Sequence, residues 1–448
     1  MTEVTGEEPN QSIRTGAVAE PAVRLSTRQA AFIGVGSMVG AGIFSLLGAA
    51  GEVAGAAVWI SFLIAGAIAG LQGYSFAKLG ARYPSAGGLM EYVGQIFGAD
   101  RHLPRILAWL LYAATAVVTA MGAVSFGSYA SSMLTDGDDV NQVTLKLFAV
   151  GVVAAMTILN VVGSQAVARA QTVVVIVVIG ILLVFAVTTL VTIDPSLLAP
   201  SGYPPLKDIV SSVALTFFAF LGFGVITFTA KDLSEPKRQL PRAMYLALGI
   251  ATTIYLLVSL GVFGTLTVDN VIASGGTALA VAAEPVLGQA GYWLMSITAL
   301  FATAGATNAG LYPATGLGRH MADTRQWPPV MGRTAGPKAS WALLITALAA
   351  ALLALFFDLT AIASIGSAVA LTVFAIVSGG HLRIRRETGA KAAMLILAVS
   401  STVIVLATFV FTTLMHEPGT AVALVVIVVV SAAIDVLWKR RRPAVGAG

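Results

Sequence analysis

The sequence predicts an all-α integral membrane protein of twelve transmembrane helices, on three observations. Hydrophobic residues make up 57% of the chain and charged residues 10%, with a mean hydropathy of +0.88, too apolar and too weakly charged for a water-soluble domain. Apolar runs recur about twelve times, each close to the ~20 residues that a bilayer core needs. With both termini placed in the cytoplasm, all of the 26 Lys and Arg residues except Lys146 and Lys207 fall in cytoplasmic segments. That asymmetry follows the positive-inside rule and requires an even number of spans.

Residues 1–24 are polar, carry Glu3, Glu7, Glu8 and Glu20, and lack a basic-then-apolar leader, so they read as a disordered cytoplasmic tail. The first span, 29–50, holds Gly34, Gly36, Gly40 and Gly42. A break at membrane depth frees backbone N–H and C=O groups, which is tolerated only beside a protein-buried site or a water-filled cavity. Span two, 53–79, carries Gly66 and Gly70 at the spacing of close helix packing, and a long basic loop over 80–103 follows. Spans three to five cover 104–134, 144–163 and 168–192. Span six, 207–230, has a second weak point within Phe217–Val225 and enters from the opposite side of the membrane. Matching interruptions in halves of opposite topology point to a binding site at a repeat interface.

A short loop, 231–241, leads to span seven, 242–266, and an outside loop over 267–288 with Asp269 and Glu284 should contain a short helix able to act as a lid. Spans eight to ten cover 289–316, 339–357 and 359–379; eleven and twelve cover 391–415 and 419–438. Residues 25–192 and 207–380 thus form an inverted pair, with 391–438 appended and 439–448 a basic cytoplasmic tail whose Lys439–Arg442 attract anionic lipid.

Composition also excludes several functions. The chain has no cysteine, hence no disulfide, thiol nucleophile or thiolate metal site. His102, His320, His381 and His416 are far apart, in expected loops or helix ends, without metal-ligand spacing. The basic residues flank spans instead of forming a stripe interleaved with aromatics, which argues against nucleic acid. No nucleophile, base and oxyanion constellation can be assembled at membrane depth, so an enzyme is not expected. No Asp, Glu, Lys, Arg or His lies near the middle of a span, so a site there should be neutral.

The stretch Gly36-Ser37-Met38-Val39-Gly40-Ala41-Gly42-Ile43-Phe44 resembles the first-span signature of the amino acid-polyamine-organocation (APC) superfamily. Tyr83-Pro84-Ser85-Ala86-Gly87-Gly88 is similar to that family's loop after span two, and Asn160-Val161-Val162-Gly163 to its approach to span five. Phe217-Phe218-Ala219-Phe220-Leu221-Gly222-Phe223, followed by Asp232, Pro236, Arg238, Pro241 and Arg242, resembles its sixth span and following loop. These landmarks recur in family order from about residue 29 to 330.

The resemblance implies a LeuT-type 5+5 inverted repeat with broken helices one and six and an amino acid held between them. The residues suit that role. Backbone N–H groups and the positive dipole end at Val39, Gly40, Ala41 and Gly42 would receive the carboxylate. Carbonyls around Phe218, Ala219, Phe220 and Gly222 would receive the ammonium. Phe218 corresponds to the family's aromatic gate, with Phe223 as apolar wall or core, and Asp232 would pair with a basic residue of another loop as a cytoplasmic gate. Gly224 stands where many relatives carry an acidic or polar residue, which disfavours a cationic substrate side chain.

Thr303 and Thr307 share a helical face; the resemblance would bring them to the carbonyls of Gly36 and Val39, around a sodium ion. Packing, with each hydroxyl bonded one turn back, is the alternative. Proton-coupled relatives carry a lysine in span five against the span-one break, a position that counting from Asn160 places at Val178. No cofactor is expected beyond a coupling ion, Na+ or H+. The chain thus reads as a secondary transporter moving an amino acid, expected to be neutral, across the cytoplasmic membrane, with the lipid bilayer as its surroundings. An ion permeation pathway or an amino-acid sensor on the same scaffold is the alternative.

Overall fold

The computed structural model describes residues 25–441 apart from 86, 99–101, 135–140, 163–164, 325, 336–338 and 416–417. The expectations for residues 1–24, Gly163, His416 and 442–448 lie outside the described residues. Apart from two isolated β-bridges, the regular structure among the described residues is helical.

The chain enters α1 (Thr27–Met38) through a capping box, in which Ser26 Oγ accepts from the Gln29 N–H and Gln29 Oε1 accepts from the Ser26 N–H. It leaves α1 at Val39, restarts as α2 (Ala41–Ala54) and continues into α3 (Val58–Arg82). The basic loop after α3 contains a short amphipathic helix, α4 (Leu89–Phe97), before α5 (His102–Leu134), α6 (Gln142–Val162) and α7 (Gln165–Val191). The helix α8 (Leu206–Phe217) then tightens into a 3₁₀ stretch over Phe218–Asp232, followed by α9 (Pro236–Phe263) and the short α10 (Val268–Ser274) in the outside-loop segment. The remaining helices are α11 (Ala278–Asp323, kinked at Gly288), α12 (Trp341–Phe356), α13 (Leu359–Thr388), α14 (Ala392–Phe409) and α15 (Pro418–Arg441).

Among the described residues, 10 helical stretches are long and apolar enough to cross a membrane. Two of the twelve sequence runs differ: the first is divided between α1 and α2, and the ninth is α12, at 16 residues short of the ~20 that a bilayer core needs. The outward faces of α7 and α15 expose Val173, Val177, Val184, Val422, Val425 and Val429, apolar area suited to lipid contact and costly in water. This is a multi-pass membrane protein.

Two packed groups organise the interior. In one, α1, α2, α3, α8 with its 3₁₀ extension, and α9 lie together; in the other, α5 packs on α6, α11 and α12. Helix α13 touches both groups, through α3 and α5, and α14 lies against α13, α8 and α3. Close packing explains Gly66, where a methyl would stand 2.6 Å from Thr252 Oγ1 on α9; Gly70 has open space instead, so the packing expectation fails there. His381 corrects the reading of the histidines: it lies within α13 and is completely buried.

Candidate functional site between two broken helices

The break in the first span leaves Val39 and Gly40 outside both flanking helices, and no side chain caps the start of α2. The first N–H groups of α2 are therefore donors without intrahelical acceptors, at the positive end of a 14-residue helix. Opposite them, α8 ends at Phe217 and the chain continues in 3₁₀ form, whose poorer hydrogen-bond geometry weakens the hold on its carbonyls.

The two breaks touch backbone to backbone. A methyl on Gly222 would collide with the Ser37 carbonyl group, and one on Gly42 would stand 2.5 Å from Ala219 Cβ. Between them lies a cavity of about 20 Å³, lined by Ser37, Met38, Ala41 and Gly42 from the first span and Phe218, Ala219, Leu221 and Gly222 from the sixth, closed by Val118 of α5 and Ala306 of α11. It has room for about one water, and no charged residue lines it.

Five of the eight residues expected to hold substrate, Ala41, Gly42, Phe218, Ala219 and Gly222, line this cavity. The other three sit beside it. Val39 is buried, Gly40 packs against Ala302 and Ala306, and Phe220 turns its ring onto Tyr255, 5.0 Å between centroids. Phe218 packs its ring against Gly366 of α13, whereas Phe223 stacks on Phe76 and meets Phe374 edge-on in the core.

The residues expected to hold an ion are placed less closely. The face of α11 that meets Gly40 carries Ala302 and Ala306, while Thr307 Oγ1 lies 2.6 Å from where a methyl on Gly122 of α5 would stand. The Thr303 hydroxyl donates to the Ala299 carbonyl and the Thr307 hydroxyl to that of Thr303, the arrangement of threonines satisfied one turn back. Gly36 is covered by Val175, one turn from the Val178 reached by counting; both valines are buried and neither can titrate. Asp232 meets the segment just ahead of α1 through its main chain, its carbonyl accepting from the Leu25 N–H at 2.7 Å. Its carboxylate makes no ion pair among the described residues.

Tyr255 of α9 was not singled out in the sequence. Its hydroxyl reaches the Met38 carbonyl at 2.6 Å and the Ala219 carbonyl at 2.9 Å, bridging the two breaks. A phenol has one proton, so it fully satisfies only one of these carbonyls at a time. The available signal was a tyrosine inside an apolar span, whose hydroxyl must find a partner. Tyr129 of α5 does the same for Phe44, donating to its carbonyl at 2.8 Å.

Residues 25–434 match the family described as amino acid permease. The chain belongs to the amino acid permease family. The permease is 32% identical to the inner membrane transport protein YbaT of Escherichia coli over 85% of its own length and 88% of that protein. It is 33% identical to the uncharacterized protein MJ0609 of Methanocaldococcus jannaschii, over 82% and 84%. The vacuolar cationic amino acid transporter 2 of Arabidopsis thaliana matches at 29% identity over 77% of the permease and 57% of that protein. The permease is thus a membrane transporter of this family.

Proposed function

We propose that the permease is a secondary transporter that moves an amino acid with a neutral side chain across the cytoplasmic membrane by alternating access. The observation that carries this reading is the pair of broken helices facing each other across a cavity without a charged wall. A zwitterion suits such a site, its carboxylate on the N–H groups of Ala41 and Gly42, joined by those of Val39 and Gly40 once these leave the Val35 and Met38 carbonyls to which they donate here, and its ammonium on the carbonyls around Phe218, Ala219, Phe220 and Gly222. Phe218 is the lid over it, and the Leu25–Asp232 main-chain contact closes the cytoplasmic end. In this reading the chain makes twelve spans, counting each broken helix once. Residues 25–192 and 207–380 are inverted repeats, and both termini are cytoplasmic.

The cationic substrate in the plant relative's name belongs to that protein. Here a second cation would be desolvated without a partner, since Gly224 offers no side chain and no acid lines the cavity. In proteoliposomes, neutral amino acids should compete for uptake and arginine, lysine and putrescine should not; strong competition by arginine overturns the neutral assignment. Binding without uptake indicates a sensor, and currents far above carrier turnover an ion pathway.

For the driving force, the proposal is a sodium ion on the carbonyls of Gly36 and Val39 with Thr303 and Thr307, which requires these hydroxyls to reach the first span. Uptake should then follow an imposed sodium gradient and respond less in Thr307→Ala. Uptake that follows a proton gradient alone removes this site.

A further inference from the structure

We propose that His381 is a proton-linked latch between α3 and α13, whose protonation sets how readily these two helices part. The latch is read from the contact itself; its consequence for transport rests on the alternating-access reading above.

The imidazole is completely buried, with Nδ1 2.9 Å from Ser75 Oγ of α3 and Nε2 2.8 Å from Thr388 Oγ1 in the last turn of α13. Ser75 is also completely buried, whereas Thr388 is half-buried. A hydrogen-bonded line therefore runs from the protein surface through the ring into the α3–α13 seam. Hydroxyls both donate and accept, so they can serve the neutral ring and the imidazolium alike.

The seam lies where the two packed groups are bridged, because α13 touches α3 on one side and α5 on the other. One turn along it, Gln72 of α3 donates to Thr402 Oγ1 of α14 at 2.8 Å and accepts from Ser378 Oγ of α13. Movement of one group against the other strains this seam. A cation sealed inside it lacks the solvation available in water. Protonation therefore favours the arrangement in which the helices have parted and water reaches the ring.

The other titratable groups around the ring are accounted for. Lys78 of α3 is the cation whose charge reaches it. Tyr74 accepts from the Lys391 N–H ahead of α14, and Arg383 lies over the Phe97 ring of α4. Glu91 of α4 accepts from Gln95, and Tyr92 is buried beside it. On the α5 and α15 side Arg105 and His102 hold Asp435, and Lys231 and Asp232 end the 3₁₀ stretch. Arg385, Arg386 and Glu387 complete the last turns of α13. Tyr83 donates to Glu387 at 2.7 Å; its burial, then that bond and the carboxylate's charge, hold the phenol above its ordinary value, so it keeps its proton across the neutral range.

The test compares the full-length protein with His381→Gln, whose amide can bond both hydroxyls but cannot titrate, and with Ser75→Ala. Amide hydrogen exchange over 72–82 and 378–388, corrected for the intrinsic pH dependence of exchange, should rise at least about threefold in the wild type between about pH 7.5 and about pH 5.5. It should stay flat in His381→Gln, and Ser75→Ala should titrate with a displaced midpoint. Uptake in proteoliposomes should show the same pattern. Retention of the wild-type pH response in His381→Gln overturns the latch, as does a wild type whose seam ignores pH. Should His381→Gln fail to fold, the wild-type titration and the Ser75→Ala midpoint decide. Acid opening lost in His381→Gln without uptake of any amino acid keeps the latch and overturns the transport reading. Uptake with a pH-insensitive seam does the reverse.

Discussion

At position 222 a single methyl group determines how closely the two breaks can approach. Its neighbour is the Ser37 main chain, which cannot rotate aside as a side chain can. Gly222→Ala should therefore cost about 1–3 kcal/mol or more and abolish substrate binding, as a thermal-shift titration would show; an unchanged melting temperature and normal binding would mean the contact is not essential. Gly40→Val should abolish binding in a protein that still folds and inserts, because the branched side chain meets Ala306 Cβ, 2.8 Å from the first added carbon, and restricts the break. Normal uptake by that variant would remove the site assignment. Tyr255→Phe withdraws the one proton shared by the Met38 and Ala219 carbonyls. The Met38 carbonyl keeps the Gly40 N–H at 2.9 Å, so the loss of this bond should cost about 0.5–1.5 kcal/mol, read as a lower melting temperature together with weaker substrate binding.

At the scale of the helix, glycine content betrays a break but not what packs on it. The interruptions near Gly40 and Phe218 were legible because weak points recur in corresponding spans of the two halves, which close packing of a single helix pair does not require. The 3₁₀ winding over Phe218–Asp232 was not, since local sequence does not separate it from α-helix. Helical periodicity correctly puts Thr303 and Thr307 on one face, but which neighbour that face meets depends on the rotation of α11, which turns Ala302 and Ala306 to Gly40. His381 looked like a helix-end residue because α13 continues to Thr388, beyond the apolar run that marked its span. The attachment of α15 is also a tertiary matter. Arg105 of α5, buried, holds Asp435 of α15, and His102 joins them at 2.6 Å. Arg105→Met alone should destabilise by up to about 3–5 kcal/mol because it leaves the buried Asp435 carboxylate with His102 as its remaining ion-pair partner, whereas Arg105→Met with Asp435→Leu should recover most of that loss. Thermal unfolding of the single and double variants checks this; equal losses would mean the pair itself, and not the stranded charge, carries the stability.

For the molecule as a whole, apolar run length and charge placement made the fold class legible, and the ordered landmarks made the family legible. The relation between the two packed groups was not, because distant contacts such as Ser75 with His381 leave no periodic trace. Orientation can be checked directly, since the chain has no cysteine of its own. A cysteine at exposed Ser234 should react with an impermeant reagent only from the cytoplasmic side, and one at exposed Ser196 only from the other; labelling of both from one side would overturn the topology. The cavity between the breaks, with about a water's worth of space, has a further consequence for affinity. On the proposed function an amino acid must wait for a wider arrangement, so its apparent dissociation constant is the intrinsic one divided by the fraction of molecules already in that arrangement. Residues that never meet the solute then tune how tightly it is held. Gln72→Leu, which unties α3 from α13 and α14 outside the cavity lining, should tighten binding in calorimetry by enlarging the receptive fraction, a gain of affinity obtained by removing a bond.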